Sequence, residues 1–265
     1  MYKKVNTFYQ VRVGEYDLVS KLYEKEAYCF PIVGSVIQST QVGGIYTLKG
    51  YEKRAYFVMH KFGSAQIVGS YDNNYISMLS KWLFEDKAFP YPKLRLLVSE
   101  PSLDCSQFAV ISRRAQFRLP KNWALNGDLS KRLSILPITE KNIKEVNSEF
   151  RIDLFNRFWH SKTTFLDSGL GFVLLYDGKL ASLCYSAAIW NNTAEIDVIT
   201  LEQFRKLNLA KIVCSHFITE CLSKGITPSW DCFTNNLGSM NLAKSLGFKQ
   251  ILPDYSLYTF SKQLS

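Results

Sequence analysis

The stretch "TLEQFRKLNLAKIV", residues 200–213, connects a β-rich run to the start of an apolar-periodic helix. Apolar residues recur at helical spacing after it, which predicts a helix of about four turns. The first turn of a helix carries unpaired N–H groups at the positive end of the helix dipole. A strand that enters such a helix through a loop with Arg205, Lys206 and Lys211 therefore predicts an anion site, and a pyrophosphate would suit it.

The same loop has a second interpretation, in which Arg205 and Lys206 are solvated charges on an ordinary surface turn. The order of the neighbouring elements favours the anion site. Upstream, Asp177-Gly178 predicts a tight hairpin and Asn191-Asn192 predicts a turn before the strand "EIDVIT". Downstream, the chain predicts a short strand in "PSWDCF", a helix in "MNLAKSL" and a last strand in "YSLYTF".

The first half of the chain is also a mixture of strands and helices, so the sequence predicts an α+β fold. The segment Leu119–Pro137 has two prolines, one glycine and weak periodicity, which is typical of a domain boundary. We therefore expect domains at 1–130 and 131–265. The runs that predict elements of the first half are the strands "QVGGIYTL", "RAYFVMH", "AQIVGS", "KLRLLV" and "QFRL" and the helix "NNYISMLSKWLF".

The bulk properties restrict the class of protein. The chain has 265 residues, 47% of them hydrophobic and 21% charged, as in a soluble globular protein. Its apolar runs stop well short of the roughly 18 residues that span a membrane. The six cysteines include no CxxC pair, and neither they nor the three histidines have metal-ligand spacing. We expect reduced thiols in the cytoplasm, no membrane association and no metal.

The elements around the basic loop, in their order, resemble the GNAT superfamily of acyl-CoA-dependent N-acyltransferases. The resemblance rests on "AEIDVIT", then Arg205-x-x-Asn208-x-Ala210, a helix, "PSWDC" and "NNLGSMNLAKSLGF". In that superfamily the loop reads Gln/Arg-x-x-Gly-x-Gly/Ala, and its backbone amides hold the coenzyme A pyrophosphate. Asn208 stands where the superfamily has Gly, which implies either a left-handed backbone conformation that Asn tolerates or a weakened fit.

Within the superfamily, "TPSWDC" (227–232) and "EIDVIT" are most similar to the branch that includes the zwittermicin A resistance acetyltransferase. Members of that branch have two parts, and the first half of this chain is similar to their N-terminal part. The resemblance covers the whole chain and is most specific from Phe165 to Phe248. It implies a GNAT fold, with a mixed, mostly antiparallel, splayed sheet flanked by helices and an N-terminal GNAT-like α/β half.

The resemblance implies acetyl-CoA as the cosubstrate and assigns its contacts. A backbone N–H within 198–200 would stabilise the oxyanion, where a bulge splays the sheet and leaves room for the pantetheine arm. Asn236 would contact that arm. The implied cofactor-binding residues are Val198, Ile199, Thr200, Arg205, Lys206, Leu207, Asn208, Leu209, Ala210, Lys211, Asn236 and Ser239.

Transfer to an amine also needs a base, because an alkylamine with a pKa near 10 is only about one part in a thousand neutral at pH 7. Alternation in "EIDVIT" puts Glu195 and Asp197 on one face of the strand and the apolar residues on the other. Glu195 and, on the next strand, Asp231 are the candidate catalytic residues. Each also fits a structural role. The acid of relatives falls on the parity of Ile196, so Glu195 also fits a solvated or structural strand residue, and Asp231 equally fits a residue that fixes the loop by hydrogen bonds. The general-acid Tyr of relatives is replaced by Ala243, which a thiolate leaving group tolerates.

These features predict an N-acetyltransferase that moves the acetyl group of acetyl-CoA to the amine of a small molecule by direct attack in a ternary complex. Asn208, Ala243 and the parity of Glu195 also fit a non-catalytic acyl-CoA binder or sensor. A third hypothesis, nucleic-acid binding, rests on the net charge of +9 and the 14% aromatic content. The basic residues are spread among acids with no block of like charge, so we expect no nucleic-acid partner. The acceptor and the oligomeric state stay open.

Overall fold

The structure is a computed structural model that describes residues 8–86, 88–98, 110–121, 123 and 131–261, with the backbone alone for Phe155 and Asn156. Cys105 and part of the predicted boundary segment, residues 122 and 124–130, lie outside the described residues. The strands of the described residues are β1 (Phe8–Gln10), β2 (Gly43–Leu48), β3 (Ala55–His60), β4 (Ser64–Gly69), β5 (Lys93–Val98), β6 (Val110–Arg118), β7 (Leu133–Pro137), β8 (Gly171–Tyr176), β9 (Lys179–Trp190), β10 (Thr193–Thr200), β11 (Thr227–Phe233), β12 (Lys249–Gln250) and β13 (Tyr255–Ser261).

Groups of helices lie between groups of strands along the chain, which gives the α+β composition that the sequence predicts. A π-helical turn over Lys81–Glu85 continues the third helix, and short 3-10 turns lie at Val13–Glu15 and Glu202–Phe204. The α-helices of the described residues are α1 (Tyr16–Tyr23), α2 (Pro31–Ile37), α3 (Asn73–Ser80), α4 (Ile143–Glu149), α5 (Leu154–Arg157), α6 (Lys162–Ser168), α7 (Leu209–Ser223) and α8 (Leu237–Ser245).

The contacts of the chain divide it into two compact units. Unit 1 contains the described residues of Met1–Arg114 and Tyr255–Ser265, and unit 2 those of Ala115–Asp254. The sequence-based division at residue 130 puts β13 in the second domain, whereas here β13 belongs to unit 1. The reason is its antiparallel pairing with β5, from Ser256↔Val98 to Ser261↔Lys93. Because β5 and β13 are so far apart in the sequence, no local sequence pattern predicts that they pair.

Unit 1 is built on the strand order β1-β2-β3-β4-β5-β13, followed by the first half of β6. The strands β2, β3 and β4 form an antiparallel meander, and α3 crosses over to β5, which is parallel to β4. Large aromatic side chains fill its core, where Phe8 packs on Tyr75 and on Trp82 at ring-centroid distances of 5.3 and 5.2 Å.

Unit 2 is built on the order β11-β10-β9-β8-β7, with the second half of β6 beside β11. The predicted meander is confirmed, because β8, β9 and β10 pair antiparallel through two-residue turns at Asp177-Gly178 and Asn191-Asn192. All four turn residues have positive φ, as such hairpins require. From β10 the chain crosses through α7 to β11, which runs parallel to it.

The helix α7 buries the apolar stripe that its sequence predicts. The stripe packs against β8, β9 and β10 and forms the centre of the unit 2 core together with Trp230 and Phe248. This packing fixes the position of the helix N-terminus relative to the end of β10. The stripe residues of the cluster are Leu209, Val213, Cys214, Phe217, Ile218 and Cys221.

Candidate active site

Two parallel strands of unit 2 part from each other halfway along their length. The pairing of β10 with β11 runs from Thr193↔Thr227 to Glu195↔Ser229 and ends there in the described residues, although β10 continues to Thr200. The resemblance predicts this splay. It places the bulge near 198–200, whereas the register shift against β9 lies between Glu195 and Ile196. The strands therefore separate earlier than expected.

The separated part of β10 keeps its pairing with β9 through Thr200↔Ser182. On that side the Ser182 hydroxyl lies 2.8 Å from the Thr200 hydroxyl and donates to the Ile199 carbonyl at 3.2 Å. Successive backbone N–H groups of a strand alternate between its two edges. The edge of residues 196–200 that faces β11 therefore presents backbone groups to the gap.

The loop after β10 leaves the N-terminus of α7 open. Asn208 is the N-cap residue with φ 62° and ψ 11°, which is the left-handed conformation, one of the two possibilities considered for this position. Its side chain makes no capping hydrogen bond in the described structure. The first N–H groups of α7, those of Leu209, Ala210 and Lys211, have no acceptor within the helix. Positive φ at Lys206 and Asn208 folds the backbone into the kind of concave turn that binds anions.

The loop is exposed but anchored. Residues 205–208 are solvent-exposed, while Leu209 is buried in the core cluster under the sheet. Within the described part of the chain, neither Arg205 nor Lys206 forms a salt bridge. Two uncommitted cations, uncapped amides and the helix dipole thus lie together, which is an arrangement suited to a diphosphate.

Three carboxylates share the face of the splayed strands that points away from α7. Ile196 packs in the core cluster around α7, so its neighbours Glu195 and Asp197 lie on the opposite face. Asp231 lies on that same face, because it is two residues beyond Ser229, the parallel partner of Glu195. The two predicted catalytic residues are thus on one face, together with a carboxylate that was not chosen from the sequence.

That third carboxylate, Asp197, has the clearest surroundings. The Tyr185 hydroxyl donates to Asp197 Oδ2 at 2.7 Å, and Arg157 Nη1 lies 3.7 Å from the same oxygen. Tyr185 is fully buried, and burial raises its pKa well above the ordinary value, an effect to which the Asp197 charge adds and which Arg157 opposes. The Asp197 side chain keeps 25% of its surface exposed. The Asp197 carboxylate therefore contacts a protonated donor, the Tyr185 hydroxyl, lies near a cation, Arg157, and is accessible to solvent.

The segment that follows α5 positions Arg157. Trp159 is buried and donates its indole N–H to the Ser186 carbonyl at 3.0 Å, and the Phe158 ring lies 6.4 Å from the Tyr185 ring. Sequence reasoning missed this cluster, although it put Asp197 on the correct face. The pairing of Asp197 with Tyr185 depends on the register shift in β9, where Ala188 pairs with Glu195 and Ser186 with Ile196. Nothing in the sequence signals that shift.

The predicted pantetheine contacts belong to the start of α8. Asn236 Oδ1 accepts the backbone N–H of Ser239 at 3.1 Å and caps the helix, while the Ser239 hydroxyl accepts the Trp230 indole N–H at 3.1 Å. Capping occupies the oxygen of Asn236, and its side-chain amide has no partner among the described residues. Ala243, at the position that the resemblance gives to Tyr, is buried in the core cluster and supplies no acid.

The described residues contain neither a candidate metal centre nor a candidate membrane-spanning helix. No group of three or more His, Cys, Asp or Glu side chains in this part of the chain is arranged to hold a metal ion. Within the same residues, no helix is both long enough and apolar enough to cross a membrane.

Comparisons with known proteins converge on one family. The family described as GNAT acetyltransferase matches residues 98–258, more than half of the chain. An uncharacterized N-acetyltransferase of Bacillus subtilis (strain 168), YdfB, is 30% identical over 240 residues, which is 88% of this chain and 91% of the relative.

Solved structures share the fold at lower identity. A GCN5-related N-acetyltransferase-like protein from Streptococcus suis 89/1591 superposes with a TM-score of 0.69 at 21% identity, covering 93% of this chain and 98% of that chain. A tandem GNAT protein from the clavulanic acid biosynthesis pathway gives a TM-score of 0.64 at 11% identity, covering 97% and 99%. Both likenesses show the fold.

Proposed function

The chain belongs to the GNAT acetyltransferase family, and we propose that it transfers the acetyl group of acetyl-CoA to the amine of a small molecule by direct attack in a ternary complex. The observation that carries the proposal is the combination of an uncapped α7 N-terminus with the gap between β10 and β11. A diphosphate fits the first and an extended thioester arm fits the second.

In this proposal the cofactor is held mainly by backbone. The N–H groups of residues 209–211 donate to the diphosphate, with Arg205 and Lys206 adding positive charge. The pantetheine arm lies along the open edge of β10 like a short extra strand, and the free side-chain amide of Asn236 donates to it. A backbone N–H within 198–200 stabilises the oxyanion.

The proton of the acceptor amine moves to the face of the splayed strands that presents Glu195, Asp197 and Asp231. Asp197 takes it directly or through a water, while the buried Tyr185 hydroxyl and Arg157 keep the carboxylate oriented. The neutral amine then attacks the thioester carbon, the new C–N bond forms and the C–S bond breaks. Coenzyme A leaves as a thiolate, which takes the second proton of the amide nitrogen, directly or through a water, and is released as the thiol. Glu195 and Asp231, on the same face, are the other candidates for the base.

The test combines binding with turnover. The purified chain is incubated with acetyl-CoA and a panel of small-molecule amines, and free thiol is measured, while calorimetry measures acetyl-CoA affinity. Release of thiol that depends on an amine supports the proposal. Intact acetyl-CoA binding with no thiol release across the panel contradicts it.

That second outcome would favour the other candidate, a non-catalytic acyl-CoA binder or sensor. The observation on its side is Ala243, whose buried methyl group stands where the resemblance gives a general-acid Tyr. A thiolate leaving group needs less help from an acid than an alkoxide, since thiol pKa values lie near 8.5. We therefore place the enzyme first.

Three finer assignments belong to the same proposal. Membership of the branch of the zwittermicin A resistance acetyltransferase rests on "TPSWDC" and "EIDVIT". A cytoplasmic location is supported by the free thiols of Cys29, Cys184, Cys214, Cys221 and Cys232. We expect no nucleic-acid or membrane partner, and the acceptor is proposed only as a small-molecule amine.

A further inference from the structure

We propose that unit 1 contains a binding site for a primary alkylammonium group, in a cavity lined by Glu26, Tyr28, Gln66, Tyr71 and Tyr255. This site is independent of the proposed acetyl transfer, because all of its residues belong to unit 1.

The cavity lies where two parallel strands part. The strands β4 and β5 pair only at Ser64↔Arg95 and Ala65↔Leu96, and the residues that follow, Gln66 on β4 and Leu97 on β5, line the cavity. Its volume of about 50 Å³ is several times the roughly 10–15 Å³ that a cavity needs to hold one water molecule. The terminal –CH2–NH3+ of an alkylamine therefore fits it.

The gap between β4 and β5 has no candidate diphosphate site beside it, whereas the gap between β10 and β11 in unit 2 does. Only residues 70–72 join β4 to α3, and Asp72 caps the helix by accepting the Tyr75 backbone N–H at 3.0 Å. The Tyr51 hydroxyl donates to the same carboxylate at 2.6 Å. A carboxylate thus occupies the position at which Asn208 leaves the amides of α7 open. The Asp72 carboxylate disfavours an anionic nucleotide there, so the ligand proposed for this cavity differs from the cofactor proposed for unit 2.

Two side chains in the cavity wall can each accept a further hydrogen bond. Glu26 Oε1 accepts the Gly69 backbone N–H at 2.7 Å, and within the described residues Glu26 has no ion pair. Burial raises the pKa of Glu26, and a cation bound beside the carboxylate would lower that pKa again. Gln66 is only 6% exposed and donates its side-chain amide to the Tyr28 carbonyl at 2.9 Å, but its Oε1 is buried without a partner in the described structure. An ammonium group supplies the missing donors and the missing charge.

Aromatic rings complete the site. The Tyr255 ring lies 5.0 Å from Phe30 and 5.6 Å from Tyr28, and Tyr71, which is 39% exposed, lines the same cavity. Aromatic faces attract cations, most strongly where water is excluded. Arg114 donates to the Tyr255 hydroxyl at 3.1 Å, so this cation is engaged at the edge of that ring.

The experiment is an NMR titration of the full chain with n-butylammonium chloride, with butan-1-ol as a neutral probe of the same length. We expect saturable shifts confined to residues around 26–30 and 66–71 with the ammonium, and at least about tenfold weaker binding of the alcohol. The variant Glu26→Gln keeps an oxygen for the Gly69 N–H and is expected to bind n-butylammonium at least about tenfold more weakly. Glu24→Gln, an exposed carboxylate on the same segment, is expected to leave the affinity unchanged.

Equal affinity for the alcohol, unchanged affinity in Glu26→Gln, or shifts that never saturate would each overturn the proposal. If Glu26→Gln loses the native spectrum, Tyr71→Ala takes its place, because its side chain is exposed. It is expected to weaken n-butylammonium binding about two- to fivefold. No loss in that variant would overturn the proposal as well.

Discussion

The Tyr185 hydroxyl donates a 2.7 Å hydrogen bond to Asp197 Oδ2, which links β9 to β10 two residues beyond the point where β10 leaves β11. A carboxylate at the mouth of the gap is therefore held by a buried, protonated phenol and balanced by Arg157. This relationship distinguishes Asp197 from Glu195 and Asp231, which share its face.

Replacing Asp197 by Asn removes the proposed base but keeps an oxygen that accepts the Tyr185 hydroxyl. We expect kcat for amine acetylation to fall about 100- to 10,000-fold, with the Kd for acetyl-CoA unchanged. Thiol release and calorimetry measure the two quantities. Glu195→Gln is the matched control on the same face. A large loss in that control with normal turnover in Asp197→Asn would move the role of base to Glu195.

Charge reversal in the loop tests the diphosphate site. Arg205→Glu places a negative charge beside the α7 N-terminus, and we expect acetyl-CoA binding to weaken about tenfold, with a smaller loss at high salt because exposed charges are screened. Lys224→Glu makes the same charge change at the exposed far end of α7 and serves as the control. Equal affinities in both variants and in the unmodified chain would mean that the diphosphate binds elsewhere.

The left-handed backbone of Asn208 predicts a graded response to substitution. Gly adopts φ 62° freely, so Asn208→Gly should keep the acetyl-CoA affinity. A β-branched side chain resists that conformation, so Asn208→Val should lower the free energy of unfolding by about 1–2 kcal/mol and weaken cofactor binding. Urea unfolding and calorimetry are the measurements. A Val variant as stable and as tight-binding as the Gly variant would contradict the role given to this conformation.

Asn236 has a capping oxygen and a free amide, and two variants separate their contributions. Asn236→Asp keeps the acceptor for the Ser239 N–H, so stability should be retained while acetyl-CoA binding weakens through loss of the donor. Asn236→Ala loses both and should also cost about 1 kcal/mol of stability. If Asn236→Asp binds acetyl-CoA with normal affinity, the residue is a cap and does not contact the cofactor.

The half-buried carboxylate of Glu26 predicts a pH dependence of stability. Its pKa is raised above 4.5 in the folded chain, so the native state holds more protons than the unfolded state between the two pKa values. The stability of the unmodified chain relative to Glu26→Gln should therefore fall as pH rises through that window and then level off. Urea unfolding of both chains across a pH series measures the difference. A difference that grows with pH would show that Glu26 is stabilised in its charged form.

Local pattern was enough for the meander of β8, β9 and β10, for α7, β11 and α8, and for the exposed basic loop that leads into α7. The apolar stripe of α7, the two hairpin turns and the basic residues before the helix are all short-range features, and short-range features follow from periodicity and turn chemistry. Even the left-handed Asn208 was one of two possibilities, because few residues other than Gly tolerate that conformation.

The tertiary structure decided what depends on register. The register shift beside Glu195 pairs Asp197 with Tyr185, and the pairing of β13 with β5 assigns the last strand to unit 1. The cavity of unit 1 exists because β4 and β5 part after two pairs of residues. Register and splay are set by side-chain packing between strands that are far apart in the chain. The local sequence around each of these residues therefore does not show which residues of other strands it will contact.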